Sequence, residues 1–164
     1  LNIAGDDAMA HISGACVGDG DFHHDDTVFV THDAVGSESR QVFKKVLRNG
    51  ATGVFQGKIL VKPDAQKTDG YQISQSLLLD EDSQFLAKPE LEIYADDVKC
   101  AHGSTTGALD KEALFYMQSR GINKEKASSL LIRGFASELI NEVQHEETKK
   151  YLLNKFDHWL RYYN

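Results

Sequence analysis

The hydrophobic period of the chain changes near Asp110, and this change is the strongest constraint on the fold. From Leu1 to Leu109 the apolar residues form short runs separated by Gly, Asp, Asn and Ser. Within these runs apolar and polar residues tend to alternate, which predicts β-strands because successive side chains of a strand point to opposite faces. From Asp110 onward the apolar residues recur at the spacing of an amphipathic helix. The sequence therefore predicts a mainly β part followed by a helical part.

Four segments of the first part are strand candidates. They are the runs DDTVFVTHDA, GVFQGKILVK, YQISQSLLLD and ELEIYADDVKC. The alternation in the second run places Phe55 and Ile59 on one face, and in the third run we expect Tyr71 and Ile73 to share a face. Segment 39–50, SRQVFKKVLRNG, fits either a helical turn or an amphipathic strand.

The spacing of the strand candidates bears on how they pack. The last three runs recur about every 20 residues, which lies in the range of stacked solenoids. Each run is too short to bury its own face, so stacking is one way to build a core. A β-sandwich or a meander has the same periodicity and remains an alternative at this stage.

Three helices are predicted in the second part. Asp110 has the character of an N-cap and Gly121 that of a terminator for the first helix, and Asn123 begins the second. The expected apolar face of the second helix comprises Ala127, Leu130, Leu131, Gly134, Phe135, Ile140 and Val143. A third apolar stripe comprises Tyr151, Leu152, Phe156, Trp159, Leu160 and Tyr163.

Composition and charge exclude several classes of function. The chain has 164 residues and a formal net charge of −7, which argues against binding nucleic acid or an anionic membrane. No apolar run approaches the roughly 20 residues that span a bilayer. Two cysteines, Cys16 and Cys100, cannot form a disulfide scaffold, and we expect reduced thiols in a cytoplasmic protein. Cys16 is interpreted as a small packing residue.

The stretch YADDVKCAHGSTTG contains the most suggestive side chains, Cys100 and His102. If the segment is extended, residues two apart share a face, and their Cα atoms lie about 6.5–7 Å apart. A thiolate and an imidazole on one face could ligate a soft metal or an iron–sulfur cluster. Two ligands do not complete a site, so the alternatives of a ligand pair shared with another chain and of plain strand residues both stay open.

Other candidate motifs are weak. GVFQGKI lacks the spacing and the Ser or Thr of a phosphate loop, GDGDFH lacks the third glycine of a dinucleotide fingerprint, and HEETK is not a zinc-protease helix. FHHDD, residues 22–26, groups atoms that divalent metals prefer. Adjacent strand residues point to opposite faces, so a solvated turn is the preferred interpretation there.

A long segment resembles a known family. The residues that carry the resemblance are VFQGKILVKPDAQKTDGYQISQSLLLDEDSQFLAKPELEIYADDVKCAHGSTTGALDKEALFYMQSRGI, with further similarity from His32 through GFASELINEV. They are similar to the C-terminal part of the SufB/SufD family of the SUF iron–sulfur cluster assembly machinery. The run His102-Gly103-Ser104 is nearer to the SufD type than to the SufB type, which tends to have His-Glu-Ala there.

The resemblance implies both a fold and a role. The implied fold is a right-handed parallel β-helix followed by a C-terminal helical domain, mainly β with α. The implied role is a non-catalytic scaffold that forms a heterodimer with SufB and binds the ATPase SufC. The expected division is residues 1–109 as the C-terminal part of a β-helix core, with its N-terminal part missing, and residues 110–164 as a helical domain that docks SufC.

The resemblance also implies site residues. The Cys-x-His motif of the family matches Cys100 and His102, and His102 is the stronger candidate for the cluster assembly interface with SufB. The helices that dock SufC match 110–121 and 123–143, in which the candidate contacts are Phe115, Arg120, Leu131 and Phe135. No cofactor is expected to bind tightly to the isolated chain, and an iron–sulfur cluster is expected only transiently at the interface.

Two further expectations concern a rival function and the oligomeric state of the isolated chain. The rival function is a purely structural adaptor that positions SufB and SufC without any side chain on iron. In isolation, the chain could form a homodimer through an exposed sheet edge.

Overall fold

The structure, a computed structural model, describes residues 1–161. The strands of this part are β1 (Asn2–Ile3), β2 (Met9–Asp19), β3 (His23–His32), β4 (Glu38–Arg48), β5 (Thr52–Val61), β6 (Asp69–Leu78), β7 (Gln84–Ile93) and β8 (Lys99–Gly107). The helices are α1 (Lys111–Ser119), α2 (Lys124–Ile140) and α3 (Glu146–Arg161). The change from strands to helices lies where the hydrophobic period predicts it.

Successive strands alternate between two parallel sheets. One sheet has the order β1-β3-β5-β7 and the other β2-β4-β6-β8, and every neighbouring pair is parallel. The chain therefore winds as a parallel β-helix of about four coils. The stacked solenoid is confirmed, and the sandwich and the meander are excluded. The spacing of about 20 residues in the sequence separates successive strands, which lie in different sheets. Residues in register on neighbouring strands of one sheet lie about 30 residues apart.

Strand β5 shows how alternation builds the core. Phe55, Ile59 and Val61 are fully buried between the two sheets, while Gln56 on the opposite face is exposed. Burial of a large apolar side chain contributes about 1.5–3 kcal/mol, so this strand is a main source of stability. The face predicted from GVFQGKILVK is confirmed.

The two segments before and after β5 form strands β4 and β6 of the other sheet. Residues 39–48 lie in β4, so the amphipathic strand is confirmed for segment 39–50 and the helical turn is excluded. In β6 the inward residues are Gly70, Gln72, Ser74 and Ser76. Tyr71 and Ile73 share a face as expected, and that face points outward. A polar face can be buried here because its side chains bond to one another, as Gln72 Nε2 donates to Gln41 Oε1 at 2.9 Å.

The helices cover the outer face of the β2-β4-β6-β8 sheet. A buried cluster joins sheet and helices through Val46, Leu77, Ile132, Ala136, Ile140, Phe156 and Leu160. The outward apolar residues of the sheet near α2 and α3 are therefore buried as well. No helix within residues 1–161 combines the length and the apolar character required to cross a membrane.

The helix ends agree with the sequence, and the buried faces agree in part. Asp110 caps α1 by accepting from the backbone N–H of Glu112 and Ala113, and Asn123 caps α2. The buried residues of α2 are Ala127, Ser128, Ile132, Ala136, Leu139 and Ile140, so the predicted face is displaced around the helix. In α3 the buried residues are Phe156 and Leu160. The predicted Tyr163 lies outside the described residues.

One histidine, His32, is buried in the interior in a way that shifts its pKa. His32 is fully buried, and its ring nitrogens contact Ser37 Oγ at 2.7 Å and Ser39 Oγ at 2.9 Å. Burial lowers the pKa of His32 from its ordinary value of 6.5. The neutral ring is thus the form that the folded protein stabilises.

We expect this histidine to make stability depend on pH. Between the lowered pKa of His32 and about 6.5, the unfolded chain binds a proton that the folded chain does not, so stability falls as pH decreases in that window. The slope for one group is at most about 1.4 kcal/mol per pH unit. Urea unfolding of the wild type and of His32→Gln between pH 8 and 5 measures it. The difference between the two should shrink at low pH; a constant difference would contradict the assignment.

Candidate functional site

Strand β8 brings Cys100 and His102 to the same face. In the parallel register, Cys100 lies opposite Gly70 and His102 opposite Gln72, both of which point into the β-helix. The two candidate side chains therefore point inward on the last coil. The expectation that an extended segment places them on one face is confirmed, but this placement does not test a ligand role.

Cys100 is held in an apolar environment. A Cβ atom built on Gly70 would lie 3.3 Å from Cys100 Sγ, which shows how closely the sulfur approaches that strand. The side chain packs against a buried cluster that includes Ile59 and Val61. Burial raises the pKa of Cys100, with a smaller lowering effect from the backbone of Gly70. The thiol therefore remains protonated near neutral pH, and a thiol binds iron less well than a thiolate.

His102 lies in a different environment, although it is only two residues away. Its side chain is exposed, because β8 is the last strand of its sheet and β7 the last of the other. Within residues 1–161 the imidazole forms no hydrogen bond. The ring therefore lies on the exposed surface of the last coil.

A polar column runs from the interior to His102. Gln41 on β4, Gln72 on β6 and His102 on β8 occupy the same register position in successive coils. Both glutamines are completely buried. Sequence reasoning missed these two residues, because it followed the apolar residues of each strand and did not consider a polar buried face. The signal was present as polar residues about 30 residues apart, the true length of one coil.

Residues 23–26 of the FHHDD segment begin strand β3, so the interpretation as a solvated turn is wrong. His24 and Asp26 point inward and meet the ammonium of Lys45, which lies 2.7 Å from Asp26 Oδ2 and 3.0 Å from His24 Nδ1. A lysine at this position occupies the space that a cation would need. Within the described residues, no group of three or more His, Cys, Asp and Glu side chains is arranged to hold a metal ion.

Cys16 lies opposite Lys45 in the register of β2 and β4. Burial raises the pKa of the Cys16 thiol, whereas the nearby Lys45 lowers it by a smaller amount. The net direction is that of an unreactive thiol. This agrees with the interpretation of Cys16 as a small packing residue.

The candidate docking contacts differ in exposure. Phe115 on α1 is 73% exposed, and the Arg120 guanidinium lies 5.1 Å from the ring centre of Tyr116. Leu131 is half-buried, and Phe135 packs against the core with the Lys44 ammonium 4.6 Å from its ring centre. Phe115 and Arg120 thus lie on the exposed surface of the chain, while Phe135 already has a packing role.

The fold and this end of the β-helix define a class: parallel β-helix proteins with a helical C-terminal region. Residues 1–135 match the family model described as the SufBD core domain of SUF system FeS cluster assembly. Because the match extends over most of the chain, the chain belongs to the SufBD family of iron–sulfur cluster assembly proteins. The resemblance seen in the sequence is confirmed.

Individual relatives agree with the family. The chain is 40% identical over 129 residues to the iron–sulfur cluster assembly protein SufD of Escherichia coli, a match covering 79% of this chain and 30% of that protein. It is 33% identical to SufD of Bacillus subtilis over 93% of this chain and 35% of the relative. A SufBD family protein of Mycobacterium leprae is 31% identical over 98% of this chain and 43% of the relative. The chain thus spans roughly a third of the length of these relatives.

Proposed function

We propose that this chain is part of a non-catalytic scaffold subunit of the SUF machinery, acting in the cytoplasm. In this role it pairs with SufB, binds the ATPase SufC and contributes His102 to the interface where a cluster is assembled. The observation that carries the proposal is the exposed His102 ring at the open end of the β-helix. The cluster is cargo on this view and not a resident cofactor.

The last coil has the features of a pairing surface. Strands β7 and β8 are the outermost strands of their sheets, so each offers backbone N–H and C=O groups along one edge. A strand added at such an edge lies about 4.8 Å away. A partner such as SufB would thereby bring its own side chains close to His102. This arrangement supplies the ligands that one chain lacks.

Helix α1 has the features of a docking element for SufC. None of its residues is buried, and it exposes the large side chains of Phe115 and Tyr116. Exposed aromatic side chains and arginine are enriched among the anchors of protein interfaces. Arg120 follows at the end of the same helix. These properties favour α1 as the first contact of a partner.

The chemistry of His102 suits a transient site. A neutral imidazole binds iron through one ring nitrogen and is lost as a ligand when the ring is protonated. Cys100, whose raised pKa keeps it a thiol, would join only if a partner changed its surroundings. A site with one histidine from this chain and other ligands from SufB would hold a cluster weakly enough to pass it on.

The test is reconstitution of the full-length protein with SufB and SufC, comparing the wild type with His102→Ala. Because His102 is exposed, the variant should assemble the same complex. We expect the iron and sulfide retained per complex to fall about tenfold or more. Anaerobic absorbance and iron analysis measure the cluster, and size-exclusion chromatography confirms the complex.

Ser104→Ala serves as the matched control. Ser104 is exposed, lies two residues along the same strand and faces the same side as His102. It should retain the cluster content of the wild type. Equal iron in the wild type and His102→Ala, with both complexes intact, would exclude His102 from assembly.

The structural adaptor remains the second candidate function, and the state of Cys100 favours it. The half-buried sulfur packs against apolar side chains, and burial raises the pKa of its thiol. On this view the chain positions SufB and SufC and contributes no ligand. The reconstitution above separates the two functions, since only the scaffold with a ligand role predicts iron loss in His102→Ala.

A further inference from the structure

We propose that Gln72 is a positioning residue that holds the His102 ring in one tautomer and one orientation. The inference rests on the proposed function, because it assigns to Gln72 a role that acts through His102. The observation that carries it is the polar column of Gln41, Gln72 and His102. In this column Gln72 donates to Gln41, which leaves the carbonyl oxygen of Gln72 without a donor.

The direction of the column comes from the two amides. Gln72 Nε2 donates to Gln41 Oε1 at 2.9 Å, which turns the amide nitrogen of Gln72 toward β4. The carbonyl oxygen Oε1 of Gln72 has no partner within residues 1–161, although its side chain is 0% exposed. An unpaired buried acceptor is costly, so a nearby donor would be favoured.

His102 is the polar side chain next in line. It lies opposite Gln72 on β8, the strand on the other side of β6 from β4. Side chains in register on neighbouring parallel strands are about 4.8 Å apart, within reach of a ring rotation. A neutral imidazole carries one N–H donor. Donation from that N–H to Gln72 Oε1 would satisfy the buried acceptor.

The Gln72 amide is confined by its surroundings. A Cβ atom placed on Gly57 would lie 2.5 Å from Gln72 Nε2, so the amide packs directly on the backbone of β5. Gln41 holds its other side. Because both contacts are buried, the amide is a fixed acceptor and not a mobile surface group.

A fixed acceptor has a chemical consequence for His102. In the proposed hydrogen bond, the ring nitrogen that donates to Gln72 would retain the proton, and the lone pair of the other nitrogen would be directed away from the interior. Histidine ligands are commonly oriented in this way, by donating the second N–H to an acceptor. Gln72 would thus present His102 to the partner ready to bind iron.

The test measures the tautomer of His102 directly. The full-length protein is labelled with ¹⁵N-histidine, and the ring of His102 is identified by loss of its signals in His102→Ala. Long-range ¹H–¹⁵N correlation of the neutral ring should show one dominant tautomer in the wild type. In Gln72→Leu the ratio of tautomers should change by about fivefold, which corresponds to the roughly 1 kcal/mol of one hydrogen bond.

Controls separate positioning from packing. Ser76→Ala removes a similar polar contact between β6 and β8, from Ser76 Oγ to Thr106 Oγ1 at 3.2 Å, and should leave the His102 tautomer unchanged. If Gln72→Leu does not fold, Gln41→Leu provides the test, because it removes the group that orients Gln72. An unchanged tautomer ratio in the variant that folds would overturn the inference.

The tautomer measurement on Gln72→Leu and the iron measurement on His102→Ala can fail independently of each other. A tautomer shift in Gln72→Leu combined with normal iron in His102→Ala would retain the hydrogen bond and reject the role in cluster assembly. Iron loss in His102→Ala with no tautomer shift in Gln72→Leu would retain the proposed function and reject Gln72 as the positioning residue.

Discussion

Replacement of Phe55 by Ala should lower the free energy of unfolding by about 3–5 kcal/mol. Phe55 is 0% exposed and lies between the two sheets, and its ring centre is 4.9 Å from that of Phe43. The variant loses the transfer free energy of the ring and leaves a cavity, because neighbouring coils fixed by the strand ladders cannot collapse into it. Chemical denaturation of the two purified proteins gives the difference.

Phe115→Ala is the matched control for this prediction. It removes the same side chain from a site on α1 that is 73% exposed, so stability should change by less than about 0.5 kcal/mol. Under the proposed docking role, the same variant should bind SufC more weakly. Comparable stability losses in Phe55→Ala and Phe115→Ala would contradict the placement of Phe55 in the core.

The contrast between β5 and β6 shows when the hydrophobic pattern of a strand identifies its inward face. In β5 the inward residues are mostly apolar, so the period alone identified the buried face. In β6 the inward face is Gly, Gln and Ser, and apolar Ile73 lies outside. Hydrophobicity reports burial but not which side of a strand is covered. In this protein the helices cover the outer side of one sheet, so apolar residues occur on both faces.

The candidate site was predictable only where it depended on local geometry. The shared face of Cys100 and His102 follows from the two-residue period of a strand. The different environments of these side chains depend on the end of the stack and on the cluster around Ile59, which involve residues far apart in sequence. The column through Gln41 and Gln72 requires the register, and register depends on the true length of a coil.

Replacement of Lys45 by Met should destabilise the protein by about 3 kcal/mol. Lys45 is 1% exposed, and its ammonium pairs with Asp26 at 2.7 Å and bonds to His24 at 3.0 Å. The Met side chain retains much of the volume but leaves the Asp26 carboxylate partly buried without its counter-charge. Urea unfolding at neutral pH measures the loss. The same measurement tests whether Asp26 points inward, because only an inward carboxylate pairs with Lys45 and loses its counter-charge in the variant.

A second substitution separates charge from packing. Adding Asp26→Asn to Lys45→Met removes the unpaired carboxylate, so the double variant should be more stable than Lys45→Met alone. Lys58→Met provides the surface comparison: Lys58 pairs with Glu92 on the outer face, where both side chains are partly exposed, and its loss should have a much smaller effect. If Asp26→Asn recovers nothing, the cost of Lys45→Met comes from packing, and the ion pair does not stabilise the first coils. If it does recover stability, the inward pair of Asp26 and Lys45 is a structural ion pair of the first coils.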